Sequence, residues 1–381
     1  MPASSSLIAS LPPGPLDIVG DVHGEADALA ALLRHLGYRD NGVHPAGRHL
    51  VFVGDLCDRG PDSPAVVRWV RDVVQQGKAW AILGNHELNL LIGEHRDGND
   101  WFWNEQAPHD LCYHPWNTLP GQGPDVERSA FLSFFSRLPL ALERPDLRVV
   151  HAAWHAPSVA VLRRMPEHLG LRRHFDALEV LAMRRVVMEG LADRHAEEQA
   201  QWGMHIDNPH HPMPLLHAHA MVDERRQMSH PIRVLTSGVE RRTEQPFFAA
   251  GRWRFTQRQP WWQHYDDITP VVVGHYWRRL HPERTGTLLG PRERDPFNGL
   301  SPLVWMGRRR NVFCVDFSAG ARYLERRRQL APEAAITALA ALRWPERELV
   351  TDRGEHWPTQ GFSPQRLTIS RPMSTRDNSQ C

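Results

Sequence analysis

Cysteine is scarce in this chain, and its four residues, Cys57, Cys112, Cys314 and Cys381, never approach a CxxC spacing. That excludes a cysteine-rich scaffold and fits a reducing compartment. No apolar run nears the ~18 residues needed to span a bilayer. The opening stretch "MPASSSLIASLPPGP" has no basic region ahead of its few apolar residues. Neither a membrane segment nor a signal peptide is expected, and the expected address is cytoplasmic. Lysine is almost absent, with Lys78 the sole one among 45 basic residues. Coding bias in a GC-rich genome explains this more simply than a demand for arginine's bidentate fit to phosphate. Net charge is also lacking, at +1, so neither duplex nucleic acid nor an anionic membrane is expected as a partner.

What is present is ordinary for a globular protein: 381 residues, 41% hydrophobic and 23% charged, enough for a large core without disulfide staples. The first 95 residues alternate. "LDIVG" (16–20), "HLVFVG" (49–54) and "AWAILG" (79–84) are strand-like runs. Between them, Ala28, Leu29, Leu32, Leu33 and Leu36 form one helical stripe, and Val66, Val67, Val70, Val73 and Val74 another, with Pro64 near its start. A short helix is expected from Glu87. This βαβαβ order predicts an α/β sheet covered by helices. Three further strand-like runs follow: "LRVVHA" (147–152), "PVVVGH" (270–275) and "NVFCVDFS" (311–318). The blocks 96–146 and 165–265 separate them and read as insertions. The first carries "NDWFWNE" and "YHPWN", the second a helical pattern over 175–190 and then "MHIDNPHHPMPLLHAHA". Residues 281–302 read as an exposed loop and 332–343 as a helix. Residues 344–381 read as a polar, poorly ordered tail.

Chemistry-bearing residues follow each strand: Asp21 and His23 in "GDVHG", Asp55 in "GDLCDRG", Asn85 and His86 in "GNHE", then His151 and His275. In open α/β sheets ligands bind beyond the carboxyl ends of strands, so these side chains share one rim. Asp55 and Asp58 lie three residues apart and repel unless something positive, Arg59 or a metal, stands near them. Asp21, His23, Asp55, Asn85, His151 and His275 form a mixed oxygen and imidazole set without thiolate. One ion could not use all of them and leave room for substrate. Two divalent ions ~3.5–4 Å apart could, with one aspartate bridging. The donor types favour Mn, Fe or Zn, with Mg less suited to the histidines.

In order and spacing, "GDVHG", "GDLCDRG", "GNHE", "VVHA" and "VVVGH" resemble the PPP-type calcineurin-like metallophosphoesterases. That superfamily includes protein serine/threonine phosphatases and dinucleoside tetraphosphate hydrolases. The resemblance covers roughly 15–155 and 268–320. It implies a catalytic domain over 15–343, built from two packed mixed sheets flanked by helices. It also implies roles: Asp21 and His23 as ligands of a first metal, Asp55 as the bridge, and Asn85, His151 and His275 as ligands of a second. His86, oriented by Asp58, is similar to the family's general acid, and Arg59 would clamp the phosphoryl oxygens. A metal-bridging hydroxide would attack phosphorus in line. Two departures bear on the substrate rather than on the metals. The fourth motif reads "HAAWHA" where protein phosphatases have "HGG", and the family's second phosphate-clamping arginine has no clear match, with Arg233, Arg241 and Arg242 candidates by location alone.

The expected activity is metal-dependent hydrolysis of a phosphate ester, led by a phosphomonoester on a protein or small molecule. Its rivals are a dinucleoside polyphosphate hydrolase and a phosphate-binding pseudo-phosphatase. The partner is accordingly a phosphorylated substrate, protein or nucleotide. The remaining features read as structural. "TDRGE" repeats the DRG triplet at 352–354 without a Gly-Asp before it and is a turn. His155 is a local polar residue, and Cys57 packs. The histidines His205, His210, His211, His217, His219 and His230 lie in or near a proline-rich loop. Trp101, Trp103, Trp253, Trp261 and Trp262 pack the insertions rather than stack a base.

Overall fold

Strand β1 (Ile8–Ser10) opens the chain and β2 (Leu16–Val19) follows, buried along its whole length. Leu16 and Ile18 face one apolar layer and Val19 another. A strand covered on both faces must be apolar on both, so its sequence is a run rather than an alternation. The computed structural model describes residues 6–96, 98–103, 124–249, 251–282, 295–331 and 334–363. Helix α1 (Ala26–Leu36) buries the leucine stripe that the spacing predicts, and Gly37 ends it at φ +92°. Strand β3 (His49–Phe52) pairs parallel with β2. Asp62 caps α2 (Ser63–Gln75), accepting from the Ala65 amide at 2.9 Å. Strand β4 (Ala79–Ala81) adds parallel to β3, and α3 (Asn85–Ile92) follows.

The chain then crosses through α4 (Asp100–Trp103) and α5 (Pro124–Phe135) into β5 (Ala141–Arg144) and β6 (Leu147–Val150). The block 165–265 folds mainly into α7 (Leu171–Met188), α8 (Ala192–Trp202), α9 (His217–Met228), α10 (Pro231–Ser237) and the antiparallel pair β7 (Glu240–Ala249) and β8 (Arg252–Arg258), after α6 (Ala156–Leu162). Strands β9 (Val271–Val273) and β10 (Val312–Cys314), helix α11 (Arg322–Arg327), and β11 (Ala340–Trp344), β12 (Glu348–Thr351) and β13 (His356–Pro358) complete the order. One sheet runs β1-β5-β6-β9-β10 and the other β13-β12-β11-β2-β3-β4. They pack face to face through Ile18, Val51, Val149, Val272, Phe313 and Leu342, with helices on the outer faces.

Three expectations change. Where a helix is expected over 332–343, residues from 340 on instead form β11, which sits between β2 and β12. Ala340, Ala341 and Leu342 are buried on both faces, and a strand so placed has the same continuous apolar sequence as a buried helix. The expected tail from 344 continues as β12 and β13, while 364–381, with Cys381, lie outside the described residues. Within the first insertion, β5 belongs to the core sheet, and "YHPWN" and Cys112 lie outside the described residues, as does most of the 281–302 loop.

Candidate metal centre and active site

Six strands aim at one rim: β2, β3 and β4 from one sheet, β6, β9 and β10 from the other. Their following loops interlock. The Val22 and His23 amides donate to the Asp55 carbonyl at 3.0 and 2.9 Å, and the Gly274 amide donates to the His151 carbonyl at 2.9 Å. The turns are tight enough that His23 (φ 48°), Asp55 (48°), Asp58 (75°), Arg59 (70°) and His275 (70°) all take left-handed backbone. Such conformations cost about 1–3 kcal/mol each and persist where surroundings over-determine them, typically at functional sites. Glycine appears where a Cβ has no room. One at Gly84 would stand 2.2 Å from Asp55 Oδ1, and one at Gly274 would stand 2.0 Å from Asp21 Oδ1.

The loops bring all six expected ligands together. Donor atoms of Asp55, His151 and His275 lie within 4.8 Å of one another, as do those of His23, Asp55 and His86. Asp55 belongs to both groups. His151 Nε2 is 3.3 Å from Asp55 Oδ2 and 3.1 Å from Asn85 Oδ1. Asp21 Oδ2 accepts from the His275 amide at 3.0 Å. Among the described residues these two are the groups of three or more ligating side chains that meet this spacing.

Burial leaves this set short of positive charge. Asp21 Oδ1 and His275 Nε2 are buried without hydrogen-bond partners. Burial, with Asp316 and Asp55 nearby, pushes the Asp21 carboxyl well above the usual carboxylate range. Burial, then Arg59 and His86, holds His23 well below the histidine range, and burial, then Arg258 and His151, does the same to His275. Burial opposes the charge on Asp55 most strongly, but His151 and His86 hold its carboxyl well below the usual range. Orphaned oxygen and imidazole donors in one buried cluster fit divalent cations, which supply the missing charge.

A second layer holds this set. The imidazoles of His23 and His151 are oriented through Nδ1 by the Cys57 and Val53 carbonyls, at 3.1 and 2.7 Å. That leaves each Nε2 facing the centre. Glu87, fully buried, accepts from the Gly84, Asp55 and Leu56 amides at 3.0, 2.9 and 2.7 Å. Asp316, after β10, accepts from the Trp277 and Ser318 amides at 2.8 Å each. His86 Nδ1 lies 2.6 Å from Asp58 Oδ2, and its Nε2 is 3.9 Å from Asp55 Oδ2. The Arg59 guanidinium stacks over Trp277, 5.0 Å from the ring centroid, with Nη1 3.3 Å from His23 Nε2.

A family model described as calcineurin-like phosphoesterase matches residues 14–276. The chain belongs to that family. This calcineurin-like phosphoesterase is 27% identical over 236 residues to the asymmetrical bis(5'-nucleosyl)-tetraphosphatase PrpE of Anoxybacillus flavithermus, covering 58% of this chain and 85% of that one. It is 44% identical over 156 residues to PrpE of Bacillus velezensis, covering 39% and 60%. The latter match thus spans less than two thirds of its relative. In fold it is similar to a cold-active protein-tyrosine phosphatase of a psychrophilic Shewanella, at TM-score 0.45 and 15% identity over 94% of this chain and 83% of that one. The chain is a metal-dependent phosphoester hydrolase, and no helix among its described residues is long and apolar enough to cross a membrane.

The expected arginine candidates are otherwise engaged. Arg233 pairs with Glu179, and Arg241 and Arg242 with Glu224. Arg258, at the end of β8, is exposed and forms no ion pair among the described residues, and its charge reaches His275. Nothing in its local sequence marks it. Asp316 carried a usable signal, being an acid just after an apolar strand as Asp21 and Asp55 are, whereas Glu87 lies in the first turn of α3 and carried none. His155 contacts Ser158 Oγ at 2.8 Å, and Cys57 is fully buried with its thiol pushed up, first by that burial. Trp101, Trp261 and Trp262 are buried, and Trp103 lies stacked on His95.

Proposed function

We propose that this chain hydrolyses a phosphoric ester or anhydride of a nucleotide, with a dinucleoside polyphosphate as the leading substrate class. The observation that carries the chemistry is the sharing of Asp55 between two buried donor groups. Asp21 and His23 would hold one cation, Asn85, His151 and His275 the other, and Asp55 both. When bound, such a pair supplies charge neutralisation at the phosphoryl oxygens and a water ionised near neutral pH. The chain's own groups do the rest. His86, fixed through Nδ1, presents Nε2 to the rim and donates a proton to the leaving oxygen. Arg59, with Trp277 beneath it, and Arg258 bind non-bridging oxygens.

The names of the relatives support the nucleotide class. The fourth motif supports it as well. Ala152 and Ala153 are fully buried, and Trp261 Nε1 donates to the Ala152 carbonyl at 3.0 Å. That backbone faces packing, so it offers no open approach like the one paired glycines would leave. The test is metal analysis with a substrate panel of dinucleoside tetraphosphates, nucleoside triphosphates, phosphopeptides and aryl phosphates. Two ions per chain and preferred turnover of dinucleoside polyphosphates are expected. Preferred turnover of phosphopeptides would overturn the substrate class, and binding without turnover would overturn catalysis.

A further inference from the structure

Asp58 is fully buried, and both of its carboxylate oxygens are engaged. Oδ2 meets His86 Nδ1 at 2.6 Å, and Oδ1 accepts from the indole Nε1 of Trp101 at 2.7 Å. An indole nitrogen is a donor only, so the direction of the second bond is fixed. A carboxylate held at both oxygens cannot rotate, and the imidazole it orients cannot tilt. Trp101 comes from α4, 43 residues beyond Asp58 in sequence.

The same segment also holds the neighbouring residue. The Arg59 amide donates to the Gly98 carbonyl at 2.8 Å, and a Cβ at Gly98 would stand 2.6 Å from Arg59 Cγ. Asp58 and Arg59 are consecutive left-handed residues without glycine's freedom, a strained pair that needs outside support. Ser63 Oγ supports it from one side, accepting from the Asp58 amide at 2.9 Å, and residues 98–101 support it from the other. A buried indole always seeks a partner for its N–H. Here the partner is the group that aims the proton donor.

We propose that Trp101 is a positioning residue for the phosphoryl-transfer step, acting on His86 through Asp58. The proposal rests on the reading of His86 as the proton donor. It gives the tryptophan-rich first insertion a role in turnover beyond packing.

The experiment uses the metal-loaded full chain and aryl phosphates that share a phosphoryl group but differ in leaving-group basicity. Proton donation matters most for a basic leaving group such as phenol and little for p-nitrophenol. Trp101→Phe keeps the ring and removes the N–H. Its expected result is a fall in kcat of about 10-fold on phenyl phosphate and less than about 2-fold on p-nitrophenyl phosphate, with KM and metal content unchanged. The ratio of the two losses does not depend on the folded fraction, so partial misfolding cannot imitate it. In an Asp58→Asn background, Trp101→Phe is expected to add nothing. Equal losses on both substrates, or a full additional loss beside Asp58→Asn, would overturn the proposal. His86→Asn is the separate control: a loss that does not depend on the leaving group overturns the reading of His86 and the proposal with it, whereas a leaving-group-dependent loss there beside equal losses in Trp101→Phe overturns the role of Trp101 alone.

Discussion

The division of labour among neighbouring residues is sharpest at Asp55 and His86. They touch, since the His86 amide donates to Asp55 Oδ1 at 3.0 Å, yet their side chains face different tasks. Asp55 sits among the imidazoles of His23, His86 and His151, whereas His86 spends Nδ1 on Asp58. Asp55→Asn is expected to lose at least one ion per chain by metal analysis, with activity falling with it. His86→Asn is expected to keep both ions while kcat falls by roughly 10²–10⁴-fold. Equal metal loss in the two variants would refute this division. The pair also shows what local sequence conveys. "GDLCDRG" and "GNHE" announce chemistry by residue type and position after a strand. Glu87 hides in the same motif because its work, tying four amides of two loops together, is a contact between segments.

At the scale of elements, α10 offers a titration that is independent of the metals. His230 caps it, with Nδ1 accepting from the Arg233 amide at 3.3 Å, while Nε2 donates to the Phe175 carbonyl at 3.2 Å. The first bond requires the neutral ring, since protonating Nδ1 would destroy the cap, whereas the second survives in either state. Burial, helped by the Arg233 charge, lowers its pKa from 6.5 to about 4. The unfolded chain therefore binds this proton first as pH falls. The contribution of His230 is complete above pH 6.5 and is lost as pH drops from there towards 4. It amounts to on the order of 3 kcal/mol over that window. His230→Asn keeps a capping side chain that does not titrate. Urea unfolding at pH 7 and pH 4 should show wild type losing more stability than this variant. A constant difference between them would show that the ring does not titrate as stated.

For the whole molecule, the decisive fact is that the last strands of the chain close the sheet that carries the first three motifs. Strand β11 pairs Ala341 with Val19 and Leu342 with Ile18, so β2 lies inside the sheet. A chain ending at residue 338 would leave β2 as a bare apolar edge beneath the metal centre. It is expected to show no cooperative thermal transition and to bind no metal, by calorimetry and metal analysis. Cooperative unfolding with full metal content would contradict this. The sequence by itself determined the βαβαβ frame, the leucine and valine stripes, and the side chains that meet at the rim. Those features are written in short-range periods and in residues placed directly after strands. Only the tertiary structure decided that residues 340–344 form a central strand, since complete burial erases the difference between strand and helix patterns. Only it brought Trp101 to Asp58 and Arg258 toward His275, because a hydrogen bond or a charge acting across tens of residues leaves no period to read.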